Sequence, residues 1–337
     1  MDIRLNDCEL VPTLVLRGMI ASGMLRRYES LMGYHDELPC RSYLPNMGMP
    51  ILQNQMSVAV MERMLHRQNS FRGILDSVHK DWNELIYRVL AVGFGCRKNA
   101  NGFELLAQSL PYRVVRGHLS SKLQVYALIF GQAGLLDAAA EDDYVAMLRY
   151  EFDYLRYKYQ LSPIGNYQWN WLRLRPQNFP TLRLAQFAQT LFEVGEDLQG
   201  VVLRSEVGRI RRCLSVNPDE YWQSHYQFCK PTARHPAAMG KRSLDTLIIN
   251  SVAPLRFFNA RFSGDDSGQE LALSLLEEIG FENNSVTRLF EGTVFPQNSA
   301  CDSQALLELY GSYCSRKRCL TCSVGDKIVR DLRAPPC

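Results

Sequence analysis

From residue 51 onward, apolar side chains recur at spacings of three and four, the period of one buried helix face. Residues 141–159 give the cleanest case, with Tyr144, Leu148, Phe152, Leu155 and Tyr159 on one stripe. Acidic residues crowd the start of that stretch and Arg156 and Lys158 its end, as the helix dipole favours. Met56, Val60 and Met64 form a second stripe, in which methionine acts as core filler. Asp81-Trp82-Asn83-Glu84 has capping-box spacing before Leu85, Ile86, Val89 and Leu90, and Gly93-Phe94-Gly95 should end that helix. Further helices are predicted over residues 22–31, 103–110, 120–130, 203–214, 218–228, 270–279, 285–290 and 302–313. Residues 244–258 are apolar almost all round and read as a buried central helix, kinked at Pro254.

Two places break the helical period. Trp171 to Arg183 holds Pro176 and Pro180 around Gln177-Asn178, with Arg173, Arg175 and Arg183 close by. Pro176 stops whatever precedes it, and Pro180 suits the first turn of a new helix, so the stretch reads as a helix–elbow–helix joint. The new helix should bury Leu184, Ala185, Ala188, Leu191 and Phe192, and turn Arg183, Gln186 and Thr190 the other way. The second exception is residues 1–18. There Leu10, Val11, Leu14, Val15 and Leu16 follow an Asn6-Asp7 turn signal and read as a strand. A two-stranded hairpin is marginal by itself, so this strand is expected to be the remnant of a further N-terminal domain. The reading is therefore mainly α: an irregular multi-helix domain over residues 19–337, with a short N-terminal β-strand or hairpin remnant over residues 1–18.

Composition narrows the function classes without choosing one. Lys+Arg number 38 against 35 Asp+Glu, so any basic surface must be local. No apolar run approaches the ~20 residues of a membrane span, and the start lacks a signal-peptide core. The expectation is a soluble cytoplasmic protein with no membrane partner; oligomeric state is not legible. Nucleotide loops, hydrolase elbows and zincin helices are missing from the sequence, and no catalytic residue is assigned. His225 and Cys229 would share a face of the expected helix 218–228, with ordinary packing the plainer reading.

Local groups carry what chemistry there is. Cys314, Cys319 and Cys322 are spaced so that a short turn can bring three thiolates to one tetrahedral ion. Zinc is the simplest occupant, and an iron–sulfur cluster is the less favoured one. A fourth ligand must come from elsewhere, with Cys40, Cys301 and Cys337 as candidates. The basic residues fall into four groups: Arg173/Arg175/Arg183, Arg204/Arg209/Arg211/Arg212, Lys230/Arg234/Lys241/Arg242 and Arg316/Lys317/Arg318. Two groups brought together would make a phosphate-binding surface, with Trp169, Trp171 or Tyr221 for stacking. The plainer reading has arginines beside prolines bonding carbonyls at helix ends.

These residues, taken in order, resemble an uncharacterised bacterial family, the domain-of-unknown-function family 2851. The likeness runs through Gly93-Phe94-Gly95 with Asn99, Phe130-Gly131-Gln132-Ala133-Gly134, and Leu174-Arg175-Pro176 with Asn178-Phe179-Pro180 and Arg183. It continues through Tyr221-Trp222 with His225-Tyr226, Ile248-Ile249-Asn250, Glu282-Asn283-Asn284-Ser285, Asp302-Ser303-Gln304, and Tyr313-Cys314 with Lys317, Cys319 and Cys322. The resemblance implies an additional N-terminal segment of nuclease type, of which residues 4–12 look like the last strand. It also matches Pro39-Cys40 to a cysteine in relatives, which makes Cys40 the preferred fourth metal ligand. The expected function is the nucleic-acid-binding or substrate-positioning part of a nuclease-like protein, not catalytic alone, with Arg173, Arg175, Arg183 and Lys241 as the contacts. The alternative is a structural or protein-interaction domain with no nucleic-acid role.

Overall fold

The computed structural model describes residues 19–21, 23–33, 36–137 and 142–330. The expected N-terminal strand, Cys337 and Glu141 lie outside them. The described chain is mainly helical. Its β structure is the antiparallel pair His225–Gln227 with Lys230–Pro231, plus a single bridge between Gly280 and Ser299. No helix among the described residues is long and apolar enough to cross a membrane.

The chain divides into two compact units. One comprises Met1–Arg63, Phe281–Asn298 and Asp302–Cys337; the other comprises Met64–Gly280 and Ser299–Cys301. Helices α1 (Met24–Gly33) and α2 (Met49–Ser77) come first, and the boundary between the units falls inside α2. Met56, Val60 and Met64 on α2 are buried, as the stripe predicts.

In the second unit, α3 (Trp82–Ser109), α4 (Tyr112–Arg116), α5 (Lys122–Gln132) and α6 (Asp143–Tyr159) follow in turn. Asp81 caps α3 as expected, accepting from the backbone N–H of Asn83 at 2.9 Å and of Glu84 at 3.2 Å. Glu84 does not close the reciprocal half of a capping box. Its carboxylate is buried and accepts from the Tyr112 amide at 2.7 Å, capping α4 instead. Gly131 on α5 lets α6 approach closely: a Cβ there would stand 2.1 Å from the Phe152 ring. Val145, Leu148, Phe152 and Leu155 are the buried stripe of α6.

Next come α7 (Pro180–Val194), α8 (Leu198–Arg204) and α9 (Val207–Leu214). Pro180 opens α7 at its first turn, where the missing N–H costs nothing. No helix leads into the elbow; residues 176–178 form one 3-10 turn. The one-sided face expected for α7 is corrected: Arg183, Gln186, Gln189 and Thr190 are buried along with Leu184, Ala185, Ala188 and Leu191, while Phe192 is only half-buried. Phe187 lies at its middle, with ring centroids 5.2 to 6.0 Å from Phe94, Tyr87 and Phe103. Polar residues survive there because they have partners; the Tyr126 hydroxyl donates to Gln189 Oε1 at 2.8 Å.

The helix expected over residues 218–228 is also corrected. A 3-10 turn at Glu220–Gln223 runs into the hairpin, whose turn places Cys229 at φ 56°. His225 therefore shares no helix face with Cys229; it stacks on Tyr221 at 3.9 Å. The expected central helix is α10 (Lys241–Leu247) and α11 (Ala253–Ser263), joined through a π-helical turn at Ile248–Val252. Pro254 lacks an N–H and crowds the carbonyl a turn earlier, and the wider turn accommodates both. Gly264, at φ 71°, ends α11 and leads into α12 (Asp266–Glu277).

The described chain ends with α13 (Ala300–Glu308), which passes from the second unit into the first at Asp302 and is extended by a π-helical turn at Leu309–Cys314, and with α14 (Ser323–Arg330) of the first unit. The ties within that first unit span long sequence distances. Arg27 donates to the Val329 carbonyl at 2.9 and 3.0 Å, and Tyr313 donates to Glu62 at 2.7 Å. The Ser323 amide donates to Gln55 Oε1 at 2.7 Å.

Candidate functional site

A cavity of about 1220 Å³ opens in the second unit between the residues of α2, α3, the elbow, α7 and α10. Its lining includes the apolar side chains of Phe71, Ile74, Val89, Leu182 and Leu247, together with seven basic side chains and one acidic one, Glu104. Arg175 and Arg183 from the elbow and α7 meet Lys241 and Arg242 from the start of α10. Arg175 and Arg183 of the first basic group are thus brought together with Lys241 and Arg242 of the third, whose Lys230 and Arg234 do not line the cavity. Arg173 does not join them. It is exposed on the elbow at φ 55° and lines no part of the cavity.

Arg67, Arg88 and Arg97 complete the basic lining. Arg67 donates to Asn250 Oδ1 at 2.7 Å, and Arg88 pairs with Glu84 at 2.7 Å. Arg97, Arg175, Lys241 and Arg242 are exposed and have no carboxylate partner among the described residues. Of the other basic groups, Arg211 is paired with Asp245 at 2.8 Å, and Lys317 donates to the Met32 carbonyl at 2.7 Å.

Arg183 differs from the rest in being only 4% exposed. Its Nη2 donates to Asn178 Oδ1 at 2.6 Å and Ser243 Oγ at 3.0 Å, and its Nη1 to Gln186 Oε1 at 3.2 Å. Gln186 is held in turn by the Ala237 carbonyl at 2.8 Å. Every partner is neutral, and the buried Nε–H has none. Burial pushes the guanidinium pKa below its ordinary value, with the Cys96 thiol nearby acting the other way. Arginine nevertheless stays charged in proteins, so this is a desolvated cation without an anion.

The backbone at Cys96 shapes the neighbouring wall. A Cβ on Gly93 would lie 2.4 Å from Leu247 Cδ1 and 2.5 Å from Ser251 Oγ, so the helix passes α10 too closely for a side chain. Three residues on, Cys96 takes φ 52° and ψ −160°, a conformation suited to glycine, and α3 kinks there. The helix resumes and carries Arg97 and Glu104 to the cavity. The first helical half of α3 thus ends directly after Gly93-Phe94-Gly95, where the sequence places its end, and a second half resumes beyond the break at Cys96.

The aromatic residues named for stacking are otherwise engaged. Trp169 is buried and donates to the Ala133 carbonyl at 2.8 Å, Trp171 packs edge-on to Phe179, and Tyr221 stacks between Tyr144 and His225. Phe71 is the aromatic residue of the cavity lining.

In the first unit, Cys40 precedes a 3-10 turn at Arg41–Asn46, and Cys314 ends the π-helical turn. Cys319 opens the 3-10 turn that Cys322 follows, and both are buried. Lys317, at φ 50°, turns the chain between Cys314 and Cys319. All four are free thiols, and each pair lies within electrostatic reach. Burial pushes the Cys40 thiol up to about 12, with Cys322 and Cys319 adding to it. Burial raises Cys314 as well, and the other three thiols reinforce it. Among the described residues, however, no group of three or more His, Cys, Asp or Glu side chains stands in an arrangement that could hold a metal ion.

Fold and site together define a mainly α-helical protein with a basic cavity and a separate group of cysteines. The chain belongs to the family described as Protein of unknown function (DUF2851), whose model matches residues 1–285. The match covers the whole cavity lining and ends before Cys314. Comparison with curated proteins found no match, and comparison with solved structures found none either.

Proposed function

We propose that the cavity binds single-stranded nucleic acid through its phosphates, and that the chain is the binding and positioning part of a nuclease-like system. The observation that carries this reading is the gathering of unpaired cations from separate elements around one concave space. Surface arginines held only to fix helix ends would each have a carbonyl or carboxylate partner. Arg97, Arg175, Lys241 and Arg242 have no carboxylate partner among the described residues. The cavity also exceeds the roughly 300–1,000 Å³ of a small-molecule site, and its apolar lining can receive bases while the exposed cations take phosphates. The reading gives this chain no cleavage step. Cutting would fall to the nuclease-type segment that the family resemblance implies.

Binding of a labelled oligonucleotide to the full chain, followed by fluorescence anisotropy, tests the assignment. Arg175→Glu combined with Lys241→Glu should abolish binding while leaving the circular dichroism spectrum unchanged. Equal affinity in that variant would overturn it. A protein-interaction domain, the alternative, would bind no oligonucleotide at all.

A second reading concerns the cysteines. We propose that Cys40, Cys314, Cys319 and Cys322 hold one structural zinc ion. Four thiols are the donor set of a closed zinc site in both kind and number, and Cys-x2-Cys at residues 319–322 is the usual clip. The ion would draw the thiols together from the positions they now occupy. It would also fasten the loop at Cys40 to the C-terminal turns, closing a long stretch of chain. Elemental analysis of chain purified without chelator should find one zinc per chain, falling sharply in Cys40→Ala. Less than about a tenth of an equivalent of zinc or iron would end the idea, since a structural site is normally filled.

A further inference from the structure

Resting on the cavity as a nucleic-acid site, we infer that Arg183 receives the terminal phosphate of the strand. Three observations point to a particular kind of anion at a particular place.

The first is depth. Arg175, Lys241 and Arg242 are exposed, whereas Arg183 is 4% exposed and lines the same cavity. An internal phosphodiester must have chain on both sides, so it suits cations on an open rim. A chain end needs room on one side only and can reach an enclosed cation.

The second is donor supply. Guanidinium carries five N–H donors. Three are used by Asn178, Ser243 and Gln186, which hold the group from three different stretches of chain. The donors left over include the Nε–H, buried and without an acceptor. A phosphate oxygen, being charged, is a stronger acceptor for such an unpaired N–H than any neutral group.

The third is charge. A buried cation with only neutral partners is costly to fold, and a bound anion offsets that cost. A terminal phosphate carries close to two negative charges at neutral pH, against one for an internal phosphodiester. It is therefore the stronger partner for a desolvated guanidinium.

The test compares oligonucleotides of one sequence ending in 5′-phosphate, 3′-phosphate or hydroxyls only, bound to the full chain at fixed ionic strength. One phosphorylated end should bind roughly tenfold or more tightly than the hydroxyl form, as expected for charge-assisted hydrogen bonds. In Arg183→Lys the ratio should fall toward one. Inorganic phosphate should erase the preference in the unmodified chain, where chloride at equal ionic strength does not; this arm needs no folded variant. Equal affinity for all three ends would overturn the inference while leaving the cavity reading intact. Binding of none of them would overturn both.

Discussion

Replacing Cys96 by glycine should stabilise this protein, although the same exchange within an ordinary helix does the reverse. Cys96 holds φ 52° and ψ −160° in the middle of α3, where a Cβ is unwelcome. Strain of this kind is worth roughly 1–3 kcal/mol. Glycine also makes the unfolded chain more flexible, which takes back about 0.4–1 kcal/mol. The net gain is therefore about 1 kcal/mol. The thiol itself is exposed, so its removal contributes little. Cys96→Ala is the proper reference, because it deletes the sulfur and keeps the Cβ. In a regular helix alanine is more stable than glycine by about 1 kcal/mol. Here urea unfolding followed by circular dichroism should place Cys96→Gly above Cys96→Ala by a similar amount. If alanine proves the more stable, the backbone at Cys96 is ordinary helix, and the kink that sets Arg97 on the cavity wall is wrong.

Glu84→Gln should lower stability by about 1–3 kcal/mol, because it weakens the charged contacts to Arg88 and the Tyr112 amide in a buried position. The same change frees the Arg88 cation facing the cavity, so oligonucleotide affinity should rise as stability falls; a variant that loses both contradicts the pairing. Asp142 caps α6. Desolvation opposes its ionisation, but hydrogen bonds from Tyr221, Val145 and Cys229 hold the carboxyl below its ordinary value of 3.8. A depressed carboxylate gives stability that is present above that ordinary value and lost as pH falls through the lower folded one. Asp142→Asn should therefore be less stable at neutral pH and less sensitive to acid below it. An unchanged acid-unfolding profile would contradict the capping role.

The parts legible in the sequence were those governed by local chemistry. Asp81 announces the start of α3, Pro180 the start of α7, and the stripe of α6 its buried face. Misjudged elements were decided by contacts at long range. Arg183 and Gln186 read as a solvent face because nothing local shows that Ser243 and the Ala237 carbonyl will cover them. The run 218–228 has helical spacing, yet the positive φ at Cys229 and the pairing with Lys230–Pro231 make it a hairpin. In the cavity, Arg175, Arg183 and Lys241 were visible as clustered charge beside prolines and turns. Arg67, Arg88 and Arg97 were not, since each sits in a helix where an arginine has no distinguishing neighbours. Cys96 carried one signal, its place directly after Gly93-Phe94-Gly95, where close packing and a break in the helix coincide.

The salt dependence of strand binding counts the phosphates that the cavity neutralises. Arg97, Arg175, Lys241 and Arg242 are the exposed cations of the cavity without a carboxylate partner among the described residues. If each takes one phosphate of a single strand, log K should fall with log salt at a slope of about −3. Arg175→Ala with Lys241→Ala should bring that slope to about −1.5. A full chain that binds no strand at about 50 mM salt, or a slope the double variant leaves unchanged, would contradict a nucleic-acid role for this cavity.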